Sequence, residues 1–268
     1  IDSDWDGVVG DLEKIRAAVV SRAGSVTNLT ADAKTLEATA GAVESFLNAL
    51  PTEGTGSAVG VPWSTDLVLP SVNELITVPT QVNYVGKGAN LYDAGYELNG
   101  SAYVINKLLG TTWLWDRVRV SGGAYGGFSD FDSHSGMFSY LSYRDPNLMK
   151  TVANYDGTVD FLKSLDIEGE ELTKSIIGTM GDLDAYQLPD AKGYTALMRH
   201  LLKVKDEERQ QRREEVLATT EKDFKKFGEV LEATRAPEAR VCAVVSPDAA
   251  KAAMEERPDL DFQVTSVM

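Results

Sequence analysis

Arg119-Val120-Ser121-Gly122-Gly123-Ala124-Tyr125-Gly126-Gly127-Phe128 runs through Asp130-Phe131-Asp132 and a turn signal at Ser133 to Gly136 into Met137 to Tyr143. Period-two alternation on the far side of that turn marks two antiparallel strands. The glycine run does not match G-x-G-x-x-G, and no G-K-[ST] follows it, so it is no phosphate-cradle signature. Glycines flanking a single Tyr125 let another backbone approach closely while the phenol projects from the strand, which suits a peptide laid beside a sheet. Without other information the favoured reading is that the glycines merely relieve crowding between a strand and a helix. Arg119 has a forked, permanently charged set of donors that fits a peptide carbonyl or carboxylate, but sequence chemistry alone prefers a solvated helix-end arginine, favoured by the dipole there.

Upstream, Ser101 opens a helical run through Val104, Leu108 and Trp115 that ends near Arg117 to Val120. Leu75 to Val85 is strand-like, with Pro79 pointing to an edge or a bulge. Between Pro51 and Pro70 the breakers Gly54, Gly56, Gly60 and Pro62 replace any periodicity, marking a linker over 51–74. Before it, Val8, Leu12, Ile15 and Val19 mark an amphipathic helix, Ser25 to Thr30 reads as a short strand, and Asp32 caps a helix whose face carries Leu36, Val43 and Phe46. Residues 1–50 are too few for a core of their own and read as the tail of a preceding domain, so the chain is expected to begin mid-protein or after processing.

Downstream, Asn147 to Leu165 and Glu170 to Met180 are helical by spacing, and Tyr194, Leu197 and Leu201 restore the pattern after Pro189. A charged helix starts at Asp206, with Val216, Leu217, Phe224, Phe227 and Leu231 as its buried face. Val241 to Val245 is a buried strand containing Cys242, Asp248 to Glu256 a helix, and Phe262 to Val267 a last strand. Strands early, helices next and strands again at the end predict an α+β fold, an antiparallel or mixed sheet with helices packed on one face. Strict strand–helix alternation, which a doubly wound nucleotide fold needs, is missing.

The 268 residues carry 26 Lys plus Arg against 41 Asp plus Glu, a formal charge of -15. That balance disfavours nucleic acid and anionic membranes and favours a cationic partner. No stretch approaches the roughly 18 consecutive apolar residues of a membrane helix. There is no C-x-x-C, H-E-x-x-H or H-x-x-E-H, and the only histidines are His134 and His200. Asp130, Asp132 and His134 alternate as a strand would present them to a cation, but the turn at Ser133 to Gly136 interrupts that geometry. His200 is read as structural or solvated, and Tyr96, Tyr103, Trp113 and Trp115 as core.

The segment 119–128, with Asp130 to Gly136 and Tyr143-Arg144-Asp145-Pro146-Asn147-Leu148, resembles the last domain of the presequence proteases, pitrilysin-like inverted-zincin metallopeptidases. Tyr155-Asp156-Gly157-Thr158, Ile176-Ile177-Gly178-Thr179 and Tyr186 to Tyr194 extend the likeness, and Ser21 to Gly24 with Asn28 to Asp32 resemble the end of the family's third domain.

The resemblance implies four related α+β domains closing as two halves around a peptide chamber. Residues 1–50 then end the third domain and 75–268 form the fourth. It implies zinc bound by the N-terminal half of the same protein, not by this chain, which is a partner half expected to be inactive alone. Arg119 would anchor the substrate backbone, Tyr125 would donate a hydrogen bond near the scissile carbonyl, and Gly123 and Ala124 would line the substrate. The implied substrates are cleaved targeting peptides and other short unfolded peptides, in the mitochondrial matrix, the chloroplast stroma or both. Targeting peptides are arginine-rich and acid-poor, so an acidic chamber would attract them. The competing expectation is a non-catalytic binding or assembly module of the same fold.

Overall fold

The computed structural model describes residues 3–23, 25–52, 71–167 and 169–267. In chain order the elements begin with helices α1 (Trp5–Val19) and α2 (Ala33–Ala49), strands β1 (Glu74–Thr77) and β2 (Asn83–Asn90), and helix α3 (Ser101–Thr111). A π-helical turn (Trp115–Val120) leads into β3 (Gly126–Asp132) and β4 (Met137–Asp145). Helices α4 (Met149–Ser164), α5 (Gly169–Leu183), α6 (Pro189–Leu201), α7 (Asp206–Leu217) and α8 (Glu221–Val230) follow, then β5 (Arg240–Val245), α9 (Pro247–Glu256) and β6 (Gln263–Ser266). The chain forms two compact units, residues 1–69 with 186–204 and residues 70–185 with 205–268. Most of the expected linker, residues 53–70, lies outside the described residues.

In the first unit Asp4 caps α1 by accepting from the Gly7 amide, and Asp32 caps α2 by accepting from that of Thr35. Neither helix has a buried residue, so Leu12, Ile15 and Val19 on one and Phe46 on the other lie exposed. Residues 25–30, expected as a strand, belong to no ladder. With no neighbouring strand to pair with, that segment is held instead by Asn28 Nδ2 donating to the Gly193 carbonyl.

The second unit is built on one mixed sheet, ordered β3-β4-β2-β5-β1-β6. β1 runs parallel to β5 and β6, whereas β2 is antiparallel to β4 and β5, and β3 to β4. The expected strand Leu75 to Val85 is in fact two, with Pro79 in the connection, because proline cannot donate to a ladder. One sheet face carries Val85, Phe138, Tyr140 and Ala243, all buried. Against it lie Tyr155 of α4, stacked on Tyr140 at 5.0 Å between ring centroids, and Phe227 of α8, 6.0 Å from Phe138. The alternate face exposes Tyr84, Leu141, Tyr143 and Cys242. The buried cysteine expected from an apolar run is therefore a surface thiol, since alternation sends Cys242 opposite to Val241 and Ala243.

The single charged helix expected from Asp206 onward breaks at Ala218. Thr220 caps α8, its N–H donating to the Asp223 carboxylate at 2.7 Å, and the break leaves Leu217 exposed while Val216 and Phe224 stay buried.

Burial raises the phenol pKa of Tyr140 and Tyr155 and pushes that of Tyr96 up to about 12. The native state thus keeps protons that the unfolded chain releases near pH ~10, so their stabilising contribution is fully present below that pH and falls as pH rises above it. Denaturant titrations between pH 9 and 11 should show stability declining at up to roughly 1.4 kcal/mol per pH unit for each such tyrosine. A flat profile would contradict the buried phenols.

Candidate functional site

The site grows from the end of α3. The Ser121 amide bonds back to the Asp116 carbonyl, five residues away, widening the helix into a π turn of the kind frequent at functional sites. Trp115 and Arg119, four residues apart, share a face, and the guanidinium carbon lies 4.5 Å from the indole centroid. Gly123, at φ +82°, then turns the chain into β3. The amides of Gly123 and Ala124 donate to the Arg119 and Val118 carbonyls, and Ala124 is buried. The structure thus places these two residues as the turn that aims Tyr125, with neither amide left over for a ligand.

Tyr125 is 63% exposed. Its amide donates to the carbonyls of Tyr143 and Arg144, while its own carbonyl accepts from Arg119 Nη1 at 2.7 Å. Its ring lies 5.5 Å from the Arg119 guanidinium carbon and 5.8 Å edge-on from Tyr143. The phenol hydroxyl makes no hydrogen bond among the described residues. Arg119 spends one donor on Tyr125 and keeps others of its five for an incoming carbonyl or carboxylate.

Behind the turn, Asn147 Nδ2 donates to the Gly122 carbonyl at 2.6 Å and Asn154 Nδ2 to that of Arg117 at 3.3 Å. Asn147 is itself set by Asp145, a fully buried carboxylate that accepts from the Asn147 amide and from Thr151 Oγ1. Arg119 and Tyr125 therefore sit on a loop tied to β4 and α4, the kind of rigid support that keeps donors preorganised.

β3 is an edge strand. Beside it a groove of about 380 Å³ is lined by Trp115, Arg119 and Gly126 to Phe128. An open strand edge with an adjacent cation is suited to an extended peptide. Trp115, expected in the core, is 45% exposed and forms part of this wall. The signal that would have found it is its four-residue spacing from Arg119. Of the other aromatics, Trp113 stacks on Phe161 at 4.9 Å and Tyr96 packs edge-on against Phe131 and Phe227.

Asp132 does not join Asp130 and His134 around a cation. It accepts from the amides of His134 and Ser135 and from Ser135 Oγ, closing the β3–β4 turn, and the Ser135 hydroxyl is the main reason its pKa is lowered. His200 lies in the last turn of α6. Among the described residues no three His, Cys, Asp or Glu side chains converge to hold a metal ion, and no helix is long and apolar enough to cross a membrane.

Residues 73–247 match the family model described as the PreP C-terminal domain. The whole chain is 56% identical over 268 residues to presequence protease 1, chloroplastic/mitochondrial, of Arabidopsis thaliana, covering 24% of that protein. It is 29% identical over 144 residues to the mitochondrial presequence protease of Xenopus laevis, covering 53% of this chain and 14% of that one. The chain thus spans about a quarter or less of the length of these curated relatives. In fold it is similar to pitrilysin, with a TM-score of 0.58 at 12% identity over 96% of this chain and 28% of that one. With the glycine turn, the edge strand β3 and strands β1 to β5 of the mixed sheet all inside the matched span, the chain belongs to the PreP C-terminal domain family.

Proposed function

We propose that this chain is the C-terminal substrate-binding portion of a zinc metalloendopeptidase that degrades cleaved targeting peptides and other short unfolded peptides. The observation that carries the reading is the pairing of Arg119 with an exposed Tyr125 whose hydroxyl has no partner among the described residues. An unengaged phenol held on a rigid loop beside a guanidinium is what a tetrahedral oxyanion needs, and it is worth most where water is excluded. Arg119 holds the substrate backbone, and Tyr125 donates toward the carbonyl oxygen as charge develops on it.

The zinc and the base that activates water belong, in this reading, to the N-terminal half of the longer protein, as the family resemblance implies. Residues 1–50 then complete a third peptidase-like domain, 51–74 link it, and 75–268 form the fourth. The names of the relatives place those proteins in chloroplasts and mitochondria, and we assign this chain to the same compartments. The charge of -15 supports attraction of arginine-rich peptides.

The test is cleavage of a basic targeting-type peptide by this chain, by the remainder of the longer protein, and by the two mixed, with and without zinc chelation. Zinc-dependent activity only in the mixture supports the half-enzyme. Cleavage by this chain alone contradicts it, and an inactive mixture that still binds peptide favours the non-catalytic module.

A further inference from the structure

β4 breaks alternation at its end. Ser142 is buried, Tyr143 and Arg144 are both exposed, and Asp145 is buried again. The pairing with β2 shifts there, Asn83 facing Asp145 and Val85 facing Ser142, so two residues of β4 stand opposite the single Tyr84. That is a β-bulge, a device that re-aims side chains next to active sites. Its extra residue, Arg144, has φ +48°, a left-handed conformation that glycine adopts freely and a long side chain adopts at a cost. The buried Asp145 holds the bulge, its carbonyl accepting from Asn83 Nδ2 and its carboxylate from Asn147 and Thr151.

What the bulge gains is the placement of a guanidinium. Arg144 Cζ lies 5.4 Å from the Tyr143 centroid, and Tyr143 stands edge-on to Tyr125 and to Tyr84. The Arg144 carbonyl itself accepts from the Tyr125 amide. Although acidic residues outnumber basic ones by 41 to 26, Arg144 has no ion pair or hydrogen bond from its side chain among the described residues. All its donors remain available, in the planar fork that matches a carboxylate.

Resting on the peptide-binding reading above, we infer that Arg144 is a specificity-determining contact for a carboxylate of the bound peptide. In an arginine-rich, acid-poor substrate the one carboxylate always present is the C-terminal one. Asp or Glu side chains offer the same chemistry.

The experiment measures binding to the 268-residue chain of a short arginine-rich peptide lacking Asp and Glu, as the free acid and as the C-terminal amide, and of the amide carrying one internal Glu. Because Arg144 is exposed, the wild type should prefer the carboxylate-bearing peptide by about threefold to fivefold. Arg144→Gly, which suits the left-handed backbone, should melt no lower than wild type yet bind all three peptides alike, while Arg144→Lys keeps part of the preference. Preference for the free acid assigns the terminus, and preference for the internal Glu assigns the side chain. Either supports the inference. A preference that survives Arg144→Gly, or none in the wild type, overturns it; if Arg119→Ala then still weakens every peptide alike, the peptide-binding function stands. Failure of the wild-type chain to bind any of the peptides overturns both.

Discussion

Replacing Tyr125 with Phe should lower kcat/KM of the assembled peptidase by roughly 10²- to 10³-fold, with KM almost unchanged, the loss characteristic of one oxyanion donor. The phenyl ring keeps its contacts with Arg119 and Tyr143. Since the hydroxyl has no hydrogen bond among the described residues, its removal leaves the fold unstrained, and thermal melts of the variant and wild type should coincide. Steady-state kinetics on a single basic peptide separates the possibilities: a loss confined to kcat fits a transition-state donor, whereas full activity would reduce Tyr125 to scaffold. Arg119→Ala should differ in kind. It removes the bond to the Tyr125 carbonyl and the packing on Trp115 as well as a substrate contact, so both KM and kcat should suffer.

Gly122→Ala should be the most damaging conservative change in the loop. A Cβ there would lie 2.4 Å from the Val118 carbonyl oxygen and 2.8 Å from that of Arg117. Both are backbone atoms of the π turn, so the turn itself must move, at a cost of about 2–3 kcal/mol. Because Arg119 sits in that turn, activity should fall along with stability. Gly123→Ala provides the contrast. Its Cβ meets nothing nearer than Pro146 Cγ at 3.5 Å, and only the φ of +82° penalises it, for about 1–2 kcal/mol. Urea unfolding of the two variants measures the difference, and equal stabilities would show that the π turn yields more easily than its geometry implies.

Much of this was legible in the chain itself. The β3–β4 hairpin, the helix running into Arg119, the caps at Asp32 and the final strand–helix–strand all follow from local periodicity and turn chemistry, which act over a few residues. Arg119 and Tyr125 became candidates through the family resemblance of their segment, whereas chemistry alone favoured glycines that relieve crowding and a solvated arginine at a helix end.

Other features depended on neighbours far away in sequence. Residues 25–30 have strand-like composition, but a strand needs a partner and none of the described residues supplies one. Cys242 and Trp115 look like core from composition, yet sheet alternation turns one outward and the stacking of Arg119 holds the other at the surface. The bulge at Arg144 is set by the register between β2 and β4 and by the burial of Asp145.

By itself, then, the sequence determined the α+β class and the β3–β4 hairpin, because these rest on local pattern and turn chemistry. Only the tertiary structure decided that Arg119, Tyr125, Tyr143 and Arg144 are successive neighbours next to the edge strand β3. Pairing register and burial are set by contacts between distant segments, and no local window of sequence contains them.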